Sequence, residues 1–292
     1  MDIKNNQLQS FLTVYFHKIE KQLNENPNGL EKVKFQSEEA NTDEYLKIFF
    51  QKYLKENNNI LDTQLSKLVV NIDDEKHSID IEKLKKYKIE DVLLPENLSE
   101  EQKKEITESK RSVYTSPDLY LKITDGIKYF FESVELKSTK NNKIPGSSVQ
   151  QVSPFEWVIF IKREKENINV TTGFYINSIT DKLPFPDRSP RPQIGFKTLV
   201  DWNKKHRKIE DSVIEISSIT ESNKAKIELL EDWQDYLATE WLEIILKKEK
   251  RKSEKWFNNA IRKFAVKLIE HYDKLDSEEK DKLIENLKKL ID

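Results

Sequence analysis

Asp118, Glu135 and Lys137 are residues whose types and spacing could do chemistry. They lie in "SPDLYLKITDGIKYFFESVELKSTK", residues 116–140. Its centre, Asp125-Gly126, is flanked by alternating β-formers, the short-range signature of a hairpin. A two-residue loop would set Thr124 opposite Ile127 and Asp118 opposite Ser133. Side chains alternate across a strand, so Ser133, Glu135 and Lys137 share one face and Asp118 joins them. Asp118 and Glu135 become diagonal neighbours, about 7–8 Å apart at Cα. Two carboxylates at that separation can converge on one divalent cation. Mg²⁺ takes hard oxygen ligands and retains waters, so Asp118, Glu135, the carbonyl of Leu136 and a substrate phosphate suffice to hold it. Phosphodiester hydrolysis needs a positioned water, neutralised transition-state charge and help for the leaving oxygen, all of which such an ion supplies. Lys137 is placed to orient or deprotonate the water and to stabilise developing negative charge. The competing reading is a hairpin whose polar face is simply solvated.

An acidic residue two before a lysine is common in this composition and recurs at Asp74, Glu101, Glu108 and Glu278. None of these follows a hairpin with an aspartate on the matching face. Pro117 also fits, because proline is tolerated at the first residue of a strand. Pro117-Asp118 … Glu135-Leu136-Lys137, with 16 residues between Asp118 and Glu135, resembles the motif of the PD-(D/E)XK nuclease superfamily. Over about 110–200 the chain is similar to a type II restriction endonuclease. The resemblance implies a restriction-endonuclease-like α/β fold, a central mixed β-sheet flanked by helices. It also implies a Mg²⁺-dependent homodimer that cuts double-stranded DNA at a short, palindromic site. Many members add an upstream helical glutamate to the metal site; Glu101, Glu105 and Glu108 are equivalent candidates here. The same fold serves repair and mobile-element endonucleases, so the motif identifies chemistry better than biology. A non-catalytic DNA-binding module with the nuclease fold is the other alternative. The intact set of Asp118, Glu135 and Lys137 argues against it.

The composition fits a globular, DNA-directed protein only when its charge is read locally. Of 292 residues 36% are hydrophobic and 35% charged, which excludes a disordered chain. The net charge of −2 alone argues against a nucleic-acid partner. From Lys137 to Lys208, however, there are 14 Lys/Arg against 6 Asp/Glu, so a basic block adjoins the candidate site. A solvated lysine-rich surface is the plainer explanation. With no cysteine and four scattered histidines, thiol chemistry is excluded and a multi-histidine zinc site is not expected. The start "MDIKNNQLQS" has no signal-peptide pattern, and "WVIFI" at 157–161 is too short to span a bilayer, so a cytoplasmic protein is expected.

Seven of nine prolines lie between Pro117 and Pro192, and four of five glycines between Gly126 and Gly195. The middle third is therefore turn-rich and the flanks helical. This divides the chain into an N-terminal helical region over 1–110, a catalytic core with a recognition loop over 111–218 and a C-terminal helical region over 219–292. Helical spacing predicts helices over 8–23, from Thr42-Asp43 to Leu54, and over 61–70, 79–87 and 99–111. It also predicts one long helix through Ile227–Ile245, one through Trp256–Tyr272 and one opening at Asp276 with Glu279. Strands are expected near 118–123, 128–137, 156–163, 169–179 and 212–217. A short helix over 147–153 would carry a parallel step between the second and third.

Candidate DNA contacts fall in three places. Arg188, Arg191 and Gln193 lie in "PFPDRSPRPQIGFKTL", 184–199, a proline-stiffened loop suited to base readout; pairing of its arginines with Asp181 or Asp187 is the alternative. Ser147, Ser148 and Gln150 in "SSVQQ" follow the second strand closely, with a helix N-cap as the plain reading of either serine. Lys204, Lys205 and Arg207 in "NKKHRK" suit phosphate contacts, as does "KKEKRK" at 247–252, which also complements a helix C-terminus.

Overall fold

The hairpin forms with a longer loop than Asp125-Gly126 implies. The computed structural model describes residues 7–33, 44–72, 75–109, 117–149, 153–164, 167–180, 191–217, 221–246 and 255–291. Within them lie α1 (Gln7–Glu25), α2 (Glu44–Glu56), β1 (Lys67–Ile72), β2 (Glu75–Asp80), β3 (Lys88–Leu93), α3 (Glu100–Ser109), β4 (Leu119–Thr124), β5 (Tyr129–Thr139) and β6 (Lys143–Pro145). There follow β7 (Trp157–Arg163), β8 (Ile168–Phe174), α4 (Tyr175–Ser178), β9 (Gln193–Gly195), α5 (Phe196–His206), β10 (Arg207–Glu210) and β11 (Val213–Ser217). The helices α6 (Glu221–Glu231), α7 (Trp233–Leu246), α8 (Lys255–Tyr272) and α9 (Ser277–Leu290) complete the chain. Thr124 pairs with Tyr129, not Ile127, so four residues form the loop. The Asp125 carboxylate accepts from the backbone N–H groups of Ile127 and Lys128, each at 3.0 Å, and Gly126 takes φ +90°, so the side chain closes the longer loop. The register is displaced by two residues. An even displacement keeps every side chain on its expected face.

Five strands build the central sheet, in the order β3-β4-β5-β7-β8. β4 runs antiparallel to β3 and β5, and β5 runs parallel to β7. This is a mixed sheet with helices on both faces. One face buries Leu119, Leu121, Val134, Leu136, Ile159 and Ile161 in the same core as Phe11, Leu12, Tyr15, Phe16 and Ile19 of α1. The Phe16 ring stacks on Trp157 at 4.6 Å. Each such side chain contributes about 1.5–3 kcal/mol by leaving water. The other face presents Val158 and Phe160 to Tyr175, Ile176, Phe196 and Leu199, a separate cluster under α4 and α5. Buried on both sides, β5 reads "FESVELKST" with almost no exposed position after Phe131.

Four local expectations need correction. The stretches 61–70 and 79–87 are not helices. β1 and β2 pair antiparallel there, and Ile81–Leu84 forms only a single 3₁₀ turn. The spacing Leu61, Leu65, Leu68 looks helical, but Leu61 is 61% exposed while Leu68 and Val70, two apart, are fully buried. β1 also pairs parallel with β11, giving a second sheet in the order β10-β11-β1-β2. The strand expected over 169–179 stops at Phe174, where α4 begins. The long helix through Ile227–Ile245 is two helices, α6 and α7, broken at Asp232. The expected helix over 147–153 falls partly on undescribed residues; 147–149 are not helical, and the crossover from β5 instead enters β6, which pairs with β9.

The chain divides into two compact units, the first reaching Glu231 and the second beginning at Asp232. Within the second, α7 and α8 meet through Trp241 and Phe257, and Arg262 donates to the Ile244 carbonyl at 3.2 and 3.0 Å. α9 opens with the expected capping box, Asp276 and Glu279 each accepting from the other's backbone N–H. Among the described residues no helix is long and apolar enough to cross a membrane.

Candidate active site

Continuing the β4–β5 register puts Asp118 directly across from Glu135 rather than diagonal to it. Asp118 Oδ2 accepts from the backbone N–H of Leu136 at 2.8 Å, which fixes the carboxylate against β5. The N–H and C=O of one strand residue point the same way, so the Leu136 carbonyl also faces β4. Pro117, across from it in the same register, has no N–H to occupy it. Lys137 Nζ stands 2.6 Å from Glu135 Oε1. Asp118, Glu135 and Lys137 are 7%, 4% and 5% exposed, so this is not the solvated polar face of an ordinary hairpin.

The crossover after β5 supplies a fourth group. Ser147 Oγ donates to Glu135 Oε1 at 2.5 Å and accepts from Lys137 Nζ at 3.0 Å. Its backbone N–H donates to the Tyr175 hydroxyl at 2.8 Å. Gly146 makes this approach possible, because a Cβ there would lie 2.2 Å from the Tyr175 oxygen and 2.7 Å from the Pro192 carbonyl. Burial and the nearby Glu135 charge push the Tyr175 phenol far up, so it stays protonated. Burial also raises Glu135 above its ordinary value; the Lys137 charge pulls it back down, and the Asp118 charge pushes it up.

Sequence reasoning did not find Lys47. It lies on α2, and its Nζ is 3.3 Å from Asp118 Oδ1. Nothing in the local pattern signals a contact between elements so far apart in the chain. The upstream glutamate does not appear: among the described residues no group of three or more histidines or acids gathers to hold a metal. The side chain of Glu108 lies outside the description. The donors present are two carboxylates and a backbone carbonyl. These fit Mg²⁺, which prefers oxygen and keeps several waters.

The candidate DNA contacts are distributed unevenly. Ser147 sits inside the site, engaged with Glu135 and Lys137, and Ser148 is 2% exposed. Gln193 lies in β9, where its side-chain oxygen accepts from Thr180 Oγ1 at 3.0 Å. Arg191 is exposed, as are Lys204 and Lys205 in the last turn of α5. Arg207 pairs with Glu20 and is largely buried, so its charge is already committed. Gln150, Arg188 and the run 247–252 lie outside the described residues.

No family model, curated protein or solved structure matches the chain. The reading of the site therefore stands on its residues.

Proposed function

We propose that the chain is a Mg²⁺-dependent nuclease of the PD-(D/E)XK kind, and more finely a site-specific endodeoxyribonuclease of restriction type acting on double-stranded DNA. The observation that carries the proposal is the burial of Asp118, Glu135 and Lys137 together on one face, with Asp118 and Glu135 in register across two antiparallel strands. Burying two carboxylates and an ammonium is costly, and packing alone does not require it. Asp118, Glu135 and the Leu136 carbonyl would hold the ion. When bound, it would polarise a phosphodiester and lower the pKa of a coordinated water. Lys137, beside Glu135, would stabilise negative charge on the phosphate and orient the attacking water. Exposed Arg191, Lys204 and Lys205 are the described groups best placed to meet DNA. A short palindromic site, a C2 homodimer matching its symmetry and a cytoplasmic location complete the proposal.

The test is incubation of the full chain with duplex DNA of known sequence in Mg²⁺ or in EDTA. Discrete fragments in Mg²⁺ alone, abolished by Asp118→Asn, are expected. DNA that is retarded but never cut would instead mark a non-catalytic binding module.

A further inference from the structure

We propose that Lys47 is a further residue of this site: its ammonium holds Asp118 until a phosphate arrives, and so couples metal binding to DNA binding. The proposal rests on the nuclease reading. It begins with how Asp118 divides its oxygens. Oδ2 is occupied by the Leu136 N–H at 2.8 Å, which orients the carboxylate, while Oδ1 faces Lys47 Nζ at 3.3 Å. Oδ1 is thus the oxygen turned toward a cation, and in the resting protein that cation is a lysine.

The placement of Lys47 is built, not incidental. Leu46, Phe50 and Leu54 of α2 are buried in the main core. Gln51 Nε2 donates to the Val92 carbonyl at 3.0 Å, and Lys55 pairs with Asp91 at 2.8 Å, so the same helix is fastened to β3. Structure alone does not explain the pairing, since a largely buried ion pair is seldom more stabilising than an apolar one.

Charge balance supplies the function. Asp118 and Glu135 carry two negative charges, and Lys47 and Lys137 return two positive ones. A divalent cation added to this balanced enclosure leaves an excess of positive charge that little water can screen. The excess is relieved if a lysine withdraws or a phosphate enters. The two lysines differ in this respect: the Lys137 side chain is 5% exposed and the Lys47 side chain 23% exposed. Lys47 is the one with a route to solvent, or to the phosphate of a bound strand. Metal and DNA backbone then each favour the other's binding, as linkage requires.

The experiment is isothermal titration of the full chain with CaCl₂, with and without a mixed-sequence DNA duplex. Wild type is expected to bind Ca²⁺ weakly alone and about tenfold more tightly with duplex, within the usual range of coupled sites. Lys47→Met should bind Ca²⁺ alone about tenfold more tightly than wild type and lose most of the dependence on duplex. Lys47→Arg, which keeps the charge, should behave as wild type. Lys47→Met with unchanged or weakened affinity for Ca²⁺ alone overturns the proposal. Should that variant not fold, the contrast between Lys47→Gln and Lys47→Arg decides in the same way. Asp118→Asn separates the two levels of the argument. Ca²⁺ binding that survives it, or wild type that binds no Ca²⁺ in either condition, removes the metal site and this inference together. Loss of binding in Asp118→Asn with no effect of the Lys47 variants removes this inference alone.

Discussion

Two glutamates of this protein have similar partners and respond to them in opposite ways. Glu135 on β5 meets Lys137 and the hydroxyl of Ser147. Glu215 on β11 meets Lys76 at 3.0 Å and the amide of Asn71 at 2.6 Å. The Glu135 side chain is 5% exposed and that of Glu215 31%. In the outer sheet the hydrogen bonds from Asn71 and Lys76 dominate and hold Glu215 below its ordinary value. In the central sheet burial dominates and Glu135 moves up despite its lysine. Glu215 therefore adds stability that is present at neutral pH and lost as pH falls through its depressed pKa. Glu135 withholds stability at neutral pH and returns it on acidification as the carboxyl takes a proton. The same pairing is a fastening near the surface and an energetic cost in the buried centre. A cost of that kind, held beside Asp118, supports the proposed cation site.

The widest gap should appear in cleavage. Glu135→Gln should reduce Mg²⁺-dependent cutting of duplex DNA to background, while Glu215→Gln leaves the rate unchanged; equal rates for both would dissolve the distinction. Stability comes next. Lys137→Met strands a buried carboxylate and should cost about 3–5 kcal/mol in urea unfolding near pH 8. The cost should shrink as pH is lowered and Glu135, held above its ordinary value by burial, takes a proton. Lys76→Met at the surface should cost less than about 1 kcal/mol and lose even that at high salt. A further effect, smaller than that of Lys137→Met, extends the comparison to a third titrating group. Burial, with Arg207 and Lys21 nearby, lowers His17 on α1 to about 4. Between pH 6.5 and about 4 the unfolded chain gains this proton and the folded chain does not, so stability falls with pH by up to about 3 kcal/mol. His17→Gln should remove that part of the acid sensitivity, seen as a smaller difference between unfolding at pH 7 and at pH 4.5.

What could be read from the sequence follows the range of the interactions. The hairpin was legible because Asp125-Gly126 and the alternation of β-formers are local signals; the parallel step to β7 was expected from a short helical crossover, and the pairing forms although 147–149 are not helical. The loop length was not legible, since it depends on an Asp125 carboxylate that closes a turn of four residues. The shared face survived that error because the displacement is even. β1 and β2 were misread because apolar residues three and four apart mimic a helix, and only the pairing of β1 with β11 and β2 shows which ones point inward. Lys47 and the bridging of Glu135 and Lys137 by Ser147 arise from contacts between distant segments, about which spacing says nothing. Ser147, a candidate DNA contact by sequence, engages Glu135 and Lys137 in the fold.

β6 and β9 form a short mechanical coupling. Ile144 pairs with Ile194 and Pro145 with Gln193, and the Gly146 N–H donates to the Pro192 carbonyl at 2.7 Å. One residue beyond this ladder on one side is Ser147; on the other, next to Pro192, is the exposed Arg191. The ladder ties the strand that ends before Ser147 to the strand that follows Arg191, so these two ends are held by backbone hydrogen bonds and not by a slack loop. The bonds at the Ser147 end, 2.5 Å to Glu135 and 3.0 Å from Lys137, have a tolerance of only a few tenths of an ångström before they weaken.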